Sequence, residues 1–103
     1  MPYVEQILDQ VLTCCSVNLT EVQLHVFGSA IKPDNRQPKD VDILLVYREG
    51  NLSLAHDICD RIRSLVTYPP IDILALSLEE ERETNFIEGV NAKRFWPSED
   101  AAN

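Results

Sequence analysis

A chain of 103 residues, 45% of them hydrophobic, has material for one small core and no room for a second substrate-binding domain. Seventeen acidic residues against nine basic ones leave a formal net charge of -8, a surface that repels a polyphosphate backbone and argues against nonspecific nucleic-acid binding. Cys14, Cys15 and Cys59 lack metal-ligand spacing, and an odd count without a disulfide pattern points to a reducing compartment. No long apolar segment reads as a signal peptide or membrane span, so a cytoplasmic location is expected.

Pro2 precedes a helical pattern in which Val4, Ile7, Leu8, Val11 and Leu12 recur at spacings of three and four. Residues 20–27 change period: Val22, Leu24 and Val26 alternate with Gln23 and His25, the signature of a strand with one face in the core. Gly28 ends that strand. Residues 31–39 hold Pro33, Asp34, Asn35 and Pro38 and read as turns, with Lys32, Arg36 and Lys39 forming a small basic loop in an acidic chain. Residues 41–47 are apolar on both faces, which suits a central strand. Leu54, Ala55, Ile58, Ile62, Leu65 and Val66 mark an amphipathic helix that Tyr68-Pro69-Pro70 stops. Residues 71–76 form a third strand, and Ser77 with Glu80 three positions on is a capping box opening a short acidic helix, with Leu78, Phe86 and Ile87 as core contacts. Phe95-Trp96 is expected to fold back on the core. Residues 1–97 thus read as one domain and residues 98–103 as a loose polar tail.

These elements predict a small α/β (α+β) domain with a three- to four-stranded mixed sheet and flanking helices. The connection from Phe27 to Asp40 is too short and turn-rich for a helical crossover, so the first two strands should run antiparallel. The connection from Tyr47 to Ile71 is long and helical, which predicts a parallel crossover. Those directions bring Gly28, Ser29, Asp40, Asp42 and Asp72 to one edge of the sheet. Asp40 and Asp42, two apart, would share a strand face. Carboxylates so spaced suit Mg²⁺, which takes one or two of them plus substrate phosphates, and Asp72 would complete a second ion's site for an in-line displacement. Gly28 lets backbone approach a phosphate closely, Ser29 adds a hydroxyl, and a helical turn beginning there would offer N–H groups to an anion.

Gly28-Ser29, ten residues, Asp40-Val41-Asp42 and then Asp72 within Ile71-Asp72-Ile73 resembles the minimal nucleotidyltransferases of the DNA polymerase beta superfamily, over roughly residues 24–76. The chain is most similar to the small stand-alone members that act as antitoxins to HEPN-domain toxins, moving AMP from ATP onto a toxin tyrosine (AMPylation). The resemblance implies a polymerase beta-like fold, with Gly28 and Ser29 holding the triphosphate. It implies two Mg²⁺ ions on Asp40, Asp42 and Asp72, with Asp72 also able to accept the proton of the attacking hydroxyl. Many members carry a basic residue soon after Gly-Ser and a Ser before the first Asp; here Ala30, Ile31 and Lys39 stand there. Lys32 or Lys39 would have to supply the missing charge to the phosphates.

Other polar residues read as structural. His25 lies on the polar face of its strand and His56 beside Asp57 on a helix, neither with a partner at ligand spacing, so solvated or structural roles are expected. Cys14-Cys15 reads as core, and residues 79–83 as a solvated acidic face or, failing that, a dock for a basic partner. Three functions follow in order. The first is a Mg²⁺-dependent nucleotidyltransferase that modifies a protein partner, a HEPN-type toxin, in a homo- or hetero-oligomer. The second is a catalytically weak or inactive module that neutralises its partner by binding. The third, nucleotide transfer to an antibiotic, is disfavoured because such enzymes usually carry an additional substrate domain.

Overall fold

Alternation of Val22, Leu24 and Val26 with more polar neighbours builds strand β1 (Val22–Phe27), and the apolar run that follows builds β2 (Val41–Tyr47). The computed structural model of the chain describes residues 2–14, 21–32 and 39–97. The strands pair antiparallel, from Val22 opposite Tyr47 to Phe27 opposite Asp42. Between them Gly28–Ile31 forms a 3-10 turn. The turn-rich segment 33–38 with Arg36, the Cys14-Cys15 side chains and the tail 98–103 lie outside the described residues.

The crossover from β2 is helix α2 (Leu52–Leu65), leading to β3 (Ile71–Ser77) in parallel with β2, as the connection length required. The protein is a mixed α/β fold whose four-stranded sheet has the order β3-β2-β1-β4. Its fourth strand, β4 (Lys93–Trp96), pairs antiparallel with β1 across a register shift at Leu24/His25. Phe95 and Trp96 do pack against the core, as expected, but as part of this edge strand.

Two layers cover the sheet. On one face α1 (Pro2–Cys14) and α2 place Val4, Ile7, Val11, Ala55, Ile58 and Ile62 against the odd-numbered residues of β2. Leu24, Ile43 and Leu45 are fully buried there, each contributing about 1.5–3 kcal/mol by burial. Leu65, expected in that stripe, is 60% exposed; α2 ends there and Val66 takes the core place.

The other face is covered by α3 (Leu78–Thr84) and α4 (Phe86–Val90), joined at Asn85 in a left-handed conformation (φ 53°). Ser77 caps α3 as expected: its hydroxyl accepts from the Glu80 N–H at 3.1 Å, and its own N–H donates to Glu80 Oε1 at 2.9 Å. Glu81 Oε2 accepts from the Ile87 N–H at 2.9 Å, tying α4 to α3. The Phe86 ring meets Phe27 edge-on, with centroids 5.2 Å apart. Under this cover Leu44, Val46 and His25 are buried. The face expected to be polar around His25 is therefore an inside face, and the histidine is structural rather than solvated. Among the described residues no helix is long and apolar enough to cross a membrane.

Candidate functional site

Where β1 runs out, its last residue Phe27 is opposite Asp42, so the next residue must turn beside that carboxylate. Gly28 makes the turn at φ +74°, a conformation that L side chains rarely adopt. A Cβ on Gly28 would collide with Asp42 Oδ2 and sit 3.3 Å from Asp42 Cγ. The conformation therefore calls for glycine, and a side chain here would also push the Asp42 carboxylate aside.

The 3-10 turn that follows is closed by the Lys32 N–H donating to the Ser29 carbonyl at 3.2 Å, and it is rooted by Ala30, which is fully buried in the core. A long basic side chain at position 30 would enter that core. The turn's positive charge is carried instead by Lys32 and Lys39, both exposed.

Asp42 and Asp72 are partners in the parallel β2–β3 ladder, so their side chains leave the same face about 5 Å apart at the Cα atoms, the spacing of neighbouring strands. Asp42 is half-buried and Asp72 exposed. Asp40 departs from expectation. β2 begins at Val41, and Asp40 lies in a bend one step short of it, so strand alternation does not set its direction. The reason is that β1 ends opposite Asp42 and turns away at Gly28, leaving Asp40 nothing to pair with. Its charge still reaches the site. Burial pushes the Asp42 carboxyl above its ordinary range, and the charges of Asp40 and then Asp72 push it further.

Asp42 and Asp72 thus stand side by side at one end of the sheet, next to Gly28, with the charge of Asp40 close enough to act on Asp42. Among the described residues no three His, Cys, Asp or Glu side chains stand grouped so as to hold a metal ion by themselves. The donor set nevertheless fits Mg²⁺. The oxygens are hard, two of the carboxylates are ladder neighbours, and this ion usually completes its shell with water and substrate phosphates.

Sequence reading passed over the loop that supports this end. Tyr68-Pro69-Pro70 looked like a helix stop. In the fold Pro69 is a fully buried side chain, and the Pro70 carbonyl accepts from the Val41 N–H at 3.0 Å, pinning the β3 entry beside Asp40 and Asp42. Tyr68, next to the buried Pro69, is 79% exposed.

His25 lies away from the carboxylates. Its Nε2 is 3.3 Å from Gln23 Oε1, while Nδ1 and the neighbouring Arg94 Nε are buried without a hydrogen-bond partner among the described residues. Burial, then the Arg94 charge, lowers its pKa, against an opposing effect of Glu81. At the sheet's far end a cleft of ≈ 320 Å³ lies between Gln23, Tyr47, Arg48, Leu78 and Trp96. Trp96 is paired there with Leu24, so it is core and cleft wall, remote from Gly28. No family model matches this sequence, and no curated protein and no solved structure matches it either.

Proposed function

We propose that this chain is a minimal nucleotidyltransferase of polymerase beta-like fold that transfers AMP from ATP to a hydroxyl of a protein partner, acting in the cytoplasm as antitoxin to a HEPN-type toxin. The observation that carries the reading is the alignment of Asp42 with Asp72 in the parallel ladder, with Gly28 lying against the Asp42 carboxylate at the same sheet end. Gly28 and Ser29 would receive the triphosphate, and Lys32 and Lys39 would offset its charge. Asp40, Asp42 and Asp72 would hold Mg²⁺, which when bound neutralises the phosphoryl oxygens and lowers the barrier to in-line displacement.

In the transfer, the acceptor oxygen forms a bond to the α-phosphorus. The bond from that phosphorus to the oxygen bridging the β-phosphate breaks, and pyrophosphate leaves. The acceptor's proton goes to a carboxylate and then to water. Asp72 suits that role because it is exposed on the outermost of the two aspartate-bearing strands. The net charge of -8 suits a protein partner better than RNA or DNA.

A second reading, a partner-binding module without catalysis, is favoured by the buried Ala30, which leaves no basic side chain directly after Gly28-Ser29. Labelled ATP, Mg²⁺ and a co-purifying or genetically adjacent partner protein separate the two. Label passing to the partner with wild type, and not with Asp40→Asn/Asp42→Asn, supports transfer. Neutralisation of the partner that persists undiminished in the double variant, with no label transferred by wild type, refutes it and leaves binding.

A further inference from the structure

β3 is an edge strand, and its hydrogen-bond phase can be read residue by residue. The Val41 N–H bonds the Pro70 carbonyl, and Val41 is in register with Ile71, so the even-numbered residues of β3 bond β2. The N–H and C=O groups of Ile71, Ile73 and Ala75 therefore point outward. Two contacts agree with that phase: Arg63 Nη2 reaches the Ile73 carbonyl at 3.5 Å, and the Ser77 N–H is taken by Glu80. Among the described residues no strand pairs with this edge. It carries no lysine, proline or bulge, the usual devices that blunt an exposed edge.

The same strand holds Asp72 and Leu74 on one face, the face of Asp42. Leu74 is 39% exposed, whereas its ladder partner Leu44 is fully buried. Tyr68 stands at the strand's entry. Across the sheet the order is Gly28, then Asp42, then Asp72, then open edge. A triphosphate lying on Gly28 with its α-phosphate at Asp42 would leave the acceptor to arrive from the β3 side.

We propose that the free edge of β3 is the acceptor dock, taking an extended polypeptide segment of the partner as an added strand, with its hydroxyl residue in register with Asp72 and an apolar residue two positions away on Leu74. The proposal rests on the nucleotidyltransferase reading for the fate of the hydroxyl, and on the ladder alone for the docking. An added strand places the side chain opposite Asp72 on the face of Asp72 and Asp42, which is where an attacking oxygen is needed. Apolar contact at Leu74 then selects the residue two away, since alternate side chains share a face. The surroundings set the charge of the segment: Asp60 and Asp72 are exposed at this edge against Arg63, so its flanks are neutral or basic.

The test uses a library of blocked nine-residue peptides with Tyr, Ser or Thr at the centre, apolar or polar residues two positions to either side, and lysine at the ends. Hydrogen exchange on the intact protein, without nucleotide, reads docking; labelled ATP with Mg²⁺ reads transfer. The expected result is that peptides with a central hydroxyl and an apolar second neighbour slow exchange at the Ile73 and Ala75 amides about tenfold or more, leave β4 unchanged, and accept label. Ala75→Pro, which removes one outward N–H and leaves the β2 ladder intact, should abolish protection and transfer while Mg²⁺-ATP binding is retained. Peptides N-methylated at alternate amides give the same discrimination without altering the protein: one set should fail to bind and the other should bind.

Docking with β3 protection but no label would overturn the nucleotidyltransferase reading and leave the dock standing. Label transfer without protection of Ile73 and Ala75, or no peptide bound at all, would overturn the dock. Concentration-dependent protection of β3 in the free protein would also overturn it, by showing a second copy of the chain on that edge.

Discussion

Replacing Gly28 by alanine asks whether the close approach of this turn to Asp42 is a built feature of the fold. Two costs apply. The residue is held at φ +74°, where a Cβ costs about 1–2 kcal/mol, partly offset by about 0.4–1 kcal/mol because alanine restricts the unfolded chain. The new Cβ would also collide with the Asp42 carboxylate, and overpacking of this kind costs about 1–3 kcal/mol more. Gly50 is an internal control: its φ is +92°, and a Cβ there meets nothing within 4 Å. Gly50→Ala should therefore lose only about 1 kcal/mol, and Gly28→Ala about 2–4 kcal/mol. For a domain of this size that gap of about 2 kcal/mol lowers Tm by about 10 °C relative to the control. Shortening Asp42 to alanine leaves its Cβ as the nearest atom, at 3.6 Å, an ordinary contact. Gly28→Ala/Asp42→Ala should accordingly be less destabilised than the sum of its single variants, a coupling that urea denaturation followed by circular dichroism measures. Equal losses at Gly28 and Gly50, or strict additivity with Asp42→Ala, would refute the reasoning.

Asp42 is held above its ordinary pKa by burial and by Asp40 and Asp72, so the fold binds a proton more readily than the unfolded chain and stability falls as pH rises through that window. In chelator at pH 7 Asp42→Asn should therefore melt higher than wild type, with the difference closing toward acid; thermal scans across pH check it. His25 has the opposite sign. Burial and Arg94 keep it neutral in the fold, so below the ordinary value of 6.5 the unfolded chain takes up a proton the fold refuses, and stability drops. His25→Leu should flatten that acid slope in urea midpoints measured from pH 5 to 8. Ser77→Ala removes the hydroxyl that accepts from the Glu80 N–H and should cost about 1 kcal/mol, read in the same denaturation assay.

Local chemistry made most of the architecture legible. The period change at Val22, the short turn-rich link after Gly28 and the helical crossover before Ile71 were enough to set strand directions. Strand directions alone brought Asp42 and Asp72 together, because a parallel pair aligns its entry ends. What escaped depended on tertiary partners. Lys93–Trp96 is four residues without clean alternation, and it becomes a strand only because β1 offers an edge. His25 looks solvated in an alternating strand, and is buried because the α3–α4 hairpin folds over the second face. Asp40 looks like a strand residue, but the β1–β2 ladder stops at Asp42 and the strand itself begins at Val41. The role of Ala30 was likewise hidden: its burial moves the basic charge of the turn out to Lys32 and Lys39.

The central claim is that Gly28, Asp42 and Asp72 form one nucleotide site. Backbone amide NMR of the wild-type protein, titrated with a non-hydrolysable ATP analogue in Mg²⁺, tests it most directly. Saturable shifts are predicted at Gly28–Ile31, at Asp40 and Asp42 and at Asp72, lost when Mg²⁺ is withdrawn and lost in Asp42→Asn/Asp72→Asn. Shifts confined to the far cleft around Gln23, Tyr47 and Trp96, or no shifts at millimolar analogue, would contradict it.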